Sequence, residues 1–159
     1  MKRLSVKLNL TAAAPLLDIV KAAADGLCDR PAVPLCPDVI EEDLREILLE
    51  ELLHGQRSDL ARFLSLFDHD FFSDGTVVFH ESNAEPILRA CAAVRLHLWS
   101  RYLKELTPEQ WSSESADPAG LDPAVQSPQL CFFFLTSLQE LILAHLTGAA
   151  PVGEGEVSF

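Results

Sequence analysis

Residues 127–148 read SPQLCFFFLTSLQELILAHLTG, and this stretch decides the architecture. Ser127 and Pro128 mark a helix start, because proline suits the first turn, where its missing N–H costs nothing. Gly148 marks the stop. Between them lies a helix that is apolar nearly all round, from Leu130 through Phe132, Phe133 and Phe134 to Leu143 and Leu146. Such a helix is either central to a fold or covered by a second subunit. The expectation is a central helix. A homodimer interface along Phe132, Phe133 and Leu143 is the alternative.

The flanking sequence supplies amphipathic helices to surround it. Residues 82–85 form a capping box, Ser82 to Glu85, opening a long helix to about residue 106. At about 100° per residue, its apolar face carries Leu88, Cys91, Ala92, Leu98, Trp99, Tyr102 and Leu106. Asp38 and Glu41 open a second helix that Gly55 is expected to end, with an apolar face of Ile40, Leu44, Ile47, Leu48 and Leu52. Residues 57–70 form another amphipathic helix. Thr11 is placed to cap a helix to about residue 27, and Thr107 to Gln110 open a short one carrying Trp111. Pro31, Pro34 and Pro37 stiffen the connector between the first two helices.

Two short segments read as strands. Leu4, Val6, Leu8 and Leu10 alternate with Ser5, Lys7 and Asn9, and residues 76–81 follow a Ser73-Asp74-Gly75 turn. Lone strands are unstable, so these two should pair. The expected fold is mainly α: a five-helix, bundle-like domain over residues 1–148, with a small two-stranded antiparallel ribbon joining residues 2–10 to residues 76–81. Residues 112–127 read as a mobile loop and residues 149–159 as a disordered tail.

Composition narrows the function. The 159 residues are 48% hydrophobic and 23% charged, a globular balance. Lys and Arg number 12 against 24 Asp and Glu, a net charge of −12. That balance argues against nucleic acid, whose phosphates need Lys and Arg, and against a site on anionic lipid. The first thirty residues carry more bases than acids, so the acidic excess belongs to the helical body. The longest unbroken apolar run, residues 130–135, falls short of the ~20 residues of a membrane helix. Lys7 and Asn9 interrupt what would be the apolar stretch of a secretion signal, so a cytoplasmic location is expected. Cys28, Cys36, Cys91 and Cys131 form no C-x-x-C and have no zinc-type histidine spacing, so no metal or cofactor is expected.

Three ionisable residues fall on predicted core faces: Glu51 between Ile47 and Leu44, Arg95 near the centre of its face, and His145 among Leu138, Leu141 and Ile142. A lone charge in a core is costly, so Glu51 and Arg95 are expected to pair, with His145 as a third member. One reading is an interhelical polar pocket for a small ligand; the other is a structural ion pair that fixes register. Glu51 and His54 also form an E-x-x-H, the spacing of ferritin-like di-iron bundles. That arrangement needs a second copy, and Glu140 and His145 are five apart instead of three. Glu42, Glu46 and Glu50 recur every four residues, with His54 continuing the row; oxygen ligands so placed could hold a divalent cation, but the row better suits a solvated face or a basic partner. No G-x-S-x-G, G-x-G-x-x-G or P-loop is present, so no catalytic residue is assigned.

Residues 95–99, Arg-Leu-His-Leu-Trp, precede an acidic, proline-rich loop, and Leu138-Gln139-Glu140 lie within the last helix. Over about residues 87–146 this pattern resembles an uncharacterised, actinobacterial-type family of helical bacterial proteins. The resemblance covers under half the chain and implies a helical domain without an assigned activity. The expected function is a non-catalytic interaction or adaptor module with an acidic helical surface and a protein partner. The alternative is a small-ligand-binding or metal-dependent protein using Glu51, Arg95 and His145.

Overall fold

The computed structural model describes residues 2–35, 41–111, 123–147 and 155–158. The alternation at the N-terminus becomes strand β1 (Arg3–Lys7), with Leu4 and Val6 buried and Arg3 and Lys7 exposed. It pairs antiparallel with β2 (Thr76–His80), setting Leu4 beside Phe79 and Val6 beside Val77. The expected ribbon is therefore present, and the fold is mainly α around it. Gly155–Ser158 forms a further strand, β3, parallel to β1 on its other edge, giving the order β2-β1-β3. This corrects the disordered tail expected over residues 149–159, as far as those four residues are concerned. Four residues with little apolar patterning carry no strand signal; the free backbone edge of β1 supplies the partner groups.

Helix α1 (Leu10–Gly26) is capped by Asn9, two residues earlier than the expected Thr11. The Asn9 side-chain oxygen accepts from the N–H groups of Thr11 and Ala12 at 3.0 and 3.3 Å. Helix α2 (Glu42–Ser65) runs straight through Gly55, which was expected to end it. A mid-helix glycine costs only about 1 kcal/mol, less than the burial of Leu53, Leu60 and Phe63 returns once α2 lies on its neighbour. Helix α3 (His69–Asp74) is capped by Asp68 and closed by Gly75 at φ +81°, a left-handed conformation that favours glycine. A Cβ on Gly75 would lie 2.4 Å from the Leu8 carbonyl oxygen, so the turn into β2 has room for no other residue.

Helix α4 (Ala84–Leu98) buries Ile87, Ala90, Cys91, Val94 and Leu98. Its start is fastened by Asn83, whose side-chain oxygen accepts from the His80 N–H at 2.9 Å. The helix continues as a π-turn over Trp99–Leu103. The wider turn rotates the following side chains: Leu103 is buried, while Trp99 and Tyr102, expected on the inner face, are exposed. Helix α5 (Pro108–Trp111) carries the expected box, Thr107 and Gln110 each bonding the other's backbone N–H. Helix α6 (Pro123–Ile142), followed by a π-turn over Leu143–Thr147, starts five residues before the expected Pro128. Part of the expected loop at residues 112–127 is thus helical, and residues 112–122 lie outside the described residues.

Helix α6 packs against both α1 and α4 and buries Cys131, Leu135, Leu138 and Ile142, so it takes the central place expected of it. Ala124–Leu146 has the length and apolarity to cross a membrane, with a mean hydropathy of 1.4. A central helix in a water-soluble core meets the same test. Helix α2 lies across α4, its largest contact.

Candidate interaction groove

The two halves of α2 face different surroundings. From Leu53 onward the helix presents Leu53, Asp59, Leu60 and Phe63 to the body. Before Leu53 no large apolar side chain is buried. Leu44, Ile47, Leu48 and Leu52, expected in the core, are 52%, 58%, 38% and 47% exposed. These residues have the periodicity of a core face, yet among the described residues no neighbouring element buries them. Leu44, Leu48 and Leu52 are spaced four apart and form one row along the helix. Glu51 falls between Ile47 and Leu44 around the helix, so a carboxylate stands inside an exposed apolar face.

The row runs into a groove of about 540 Å³ between residues 31–35, α2 and α4. Small residues make it: Ala90, Ala92 and Ala93 on α4, and Gly55 on α2, leave the space. Val33, Leu52 and Leu96 form apolar walls, all exposed by more than 40%. Gln56 fixes the proline-rich wall. Its side-chain oxygen accepts from the Ala32 N–H at 2.9 Å, and its amide N–H groups donate to the Leu27 and Arg30 carbonyls at 2.8 Å each. Arg57 adds a bond from Nε to the Cys28 carbonyl. Residues 27–32 are thereby held to the middle of α2.

One polar pair lines the groove. Arg89 donates from Nε and Nη2 to the two carboxylate oxygens of Asp59, at 2.8 and 3.0 Å, and from Nη1 to Glu85 at 2.8 Å. Asp59 keeps 12% of its side chain exposed and Arg89 53%. The bond to Asp59 is the main cause raising the Arg89 pKa above its ordinary value. Sequence reasoning missed this pair, since Asp59 was placed on a helix with no α4 partner in view. Its one signal was an acid beside the apolar Leu60 and Phe63.

The three residues expected to form a polar pocket are not joined. Glu51 is exposed at the groove. Arg95 turns the other way, toward α6. Its Nη1 donates to Gln139 Oε1 at 2.6 Å, and its guanidinium lies 4.7 Å from the centre of the Phe132 ring. Gln139 is held by a bond from its amide to the Leu88 carbonyl at 3.0 Å. Arg89 and Arg95 are six residues apart on α4, which sends one to α2 and the other to α6. His145 is half-buried in the π-turn after α6, whose residues pack on β1. No hydrogen bond or ion pair links any two of Glu51, Arg95 and His145.

Glu42, Glu46 and Glu50 are all exposed on the flank of α2 away from the leucine row. Among the described residues, no three His, Cys, Asp or Glu side chains are grouped to hold a metal ion. His97 is half-buried against Gly26, where an added Cβ would meet its ring at 3.0 Å. Burial, with Arg101 and Arg30 nearby, lowers its pKa from 6.5. Cys91 and Cys131 are buried, and desolvation pushes both thiols up to about 12. Cys28 is exposed. Phe132 and Phe133, the alternative dimer face, are half-buried, with the Trp111 ring edge-on at 5.3 and 6.1 Å. No protein-family model, curated protein or solved structure matches the chain.

Proposed function

We propose that the chain is a non-catalytic protein-interaction module whose docking surface is the exposed leucine row of α2 and the groove it enters. The observation that carries this reading is the exposure of Leu44, Leu48 and Leu52 together with Val33 and Leu96. Contiguous apolar surface of this kind costs solubility and marks sites that another molecule covers. Anchors four residues apart beside a groove are the geometry that receives an amphipathic helix. The tethering of residues 27–32 to Gln56 supports the same reading, because a groove wall held in place loses little entropy on binding.

A second reading has one observation in its favour. A groove of about 540 Å³ with apolar walls and a single ion pair is also the size and make-up of a small-ligand site. Panning a displayed library of helical peptides against the wild-type chain and Leu48→Glu separates the two. Leu48 is already part-exposed, so the substitution spares the core. The interaction reading expects enrichment of leucine-patterned helices that Leu48→Glu abolishes. Absence of enrichment, or enrichment indifferent to Leu48→Glu, contradicts it.

A further inference from the structure

We infer that the partner helix is basic, and that a lysine or arginine within its apolar face pairs with Glu51. This rests on the interaction reading above and specifies the chemistry of its partner. The starting point is the position of Glu51, which lies among Ile47, Leu44 and Leu48 on the exposed face and also lines the groove. While the face is open, water solvates the carboxylate at no cost. A partner that covers Leu44, Leu48 and Leu52 must also cover Glu51. A carboxylate removed from water without a counter-charge is unfavourable, so a neutral partner is penalised there and an acidic one rejected. A cation supplied by the partner converts the penalty into a charge-assisted bond.

Among the described residues, no hydrogen bond or ion pair joins Glu51 to a cation of the groove. Arg89 is engaged by Asp59 and Glu85 through Nε and both terminal nitrogens. Arg95 is turned to Gln139 and Phe132. The surrounding charge points to the same partner. Glu41, Glu42, Asp43, Glu46 and Glu50 share this half-helix with Arg45 as its one Lys or Arg, and the whole chain carries −12. Glu42, Glu46 and Glu50 lie on the far flank, so they attract a basic helix from a distance without touching it. A second copy of the chain fits poorly, because it brings the same acid-rich half-helix, and its Arg45 is half-buried.

The test uses the full chain and three fluorescein-labelled 18-residue helical peptides with the same leucine spacing. One position within the leucine face and the polar positions beside it are all lysine, all glutamine or all glutamate. Anisotropy should show the lysine peptide binding about tenfold more tightly than the glutamine peptide, and the glutamate peptide not at all. Glu51→Gln should bring the lysine peptide to the level of the glutamine one. Replacing Glu42, Glu46 and Glu50 together by Gln should slow association at low salt and leave dissociation unchanged. Equal binding of lysine and glutamine peptides, or no effect of Glu51→Gln, overturns the basic-partner inference; the interaction reading survives if Leu48→Glu still abolishes binding. If no peptide binds, or if Leu48→Glu has no effect, the interaction reading falls as well. A concentration-dependent dimer that Leu48→Glu dissolves assigns the face to a second copy and overturns the inference.

Discussion

Replacing Arg89 by alanine should destabilise the protein more than replacing Asp59, although both remove the same ion pair. The asymmetry follows from exposure: the Asp59 side chain is 12% exposed and that of Arg89 53%. Arg89→Ala deletes two charge-assisted bonds and leaves a nearly buried carboxylate with neither its cation nor full hydration. At full burial such a loss costs about 3–5 kcal/mol; the half-exposed guanidinium and the open groove reduce it to about 1.5–3 kcal/mol. Asp59→Ala leaves a guanidinium that is half in water and still bonded to Glu85, at a cost of about 0.5–1.5 kcal/mol. For a chain of this size each kcal/mol moves Tm by about 2–4 °C, so Arg89→Ala should lower Tm by about 3–12 °C. Urea unfolding of both single variants and the double variant completes the cycle, with a coupling of about 1 kcal/mol expected. If Asp59→Ala costs as much as Arg89→Ala, or if the coupling is within about 0.3 kcal/mol of zero, the pair is a surface contact and does not brace the groove.

Gly55→Ala should stabilise the protein by about 0.5–1 kcal/mol, since α2 is continuous there and a Cβ at Gly55 meets nothing within 4 Å; a lower Tm would show that α2 breaks at Gly55. In a Cys36→Ser background, a thiol reagent should label Cys28 at once and reach Cys91 and Cys131 only on unfolding, because both thiols are buried with pKa values of about 12; rapid labelling of more than one thiol in the folded state would contradict the packing of α4 on α6. His97 has a folded pKa below its ordinary 6.5, so its neutral form is favoured by folding. Its contribution is complete above pH 6.5 and is lost as pH falls from there through the folded value. The wild type should therefore lose more Tm than His97→Gln on acidification from pH 7 to about pH 5, and parallel curves would place His97 in open water.

The local chemistry of the sequence carried much of this fold. The two-residue alternation of Leu4, Val6 and Leu8 found its β2 partner because each strand alone had an apolar face to bury. The all-round apolarity of residues 130–146 found the centre for the same reason. Three features needed knowledge of neighbours that a single sequence does not hold. Gly55 signals a helix stop only if nothing packs beyond it, and Leu60 and Phe63 do. Leu44, Ile47 and Leu48 have the periodicity of a core face, yet periodicity does not say whether a second surface reaches it. Glu51 and Arg95 both point at apolar faces, but α4 presents Arg95 to α6, where it meets Gln139. Of the candidate site, Glu51 and the acidic row were visible in the sequence, while the groove, its Gln56 clamp and the Asp59–Arg89 pair emerged only from the packing.

The most direct test of the central claim is an amide nitrogen–proton NMR titration of the whole chain with the lysine-faced helical peptide. Perturbed resonances should map to Val33, to residues 44–52 and to residues 89–96, the row and groove that the structure leaves open. Perturbations confined to another surface, such as the Arg95, Gln139 and Phe132 cluster, would contradict the account, as would an unperturbed spectrum.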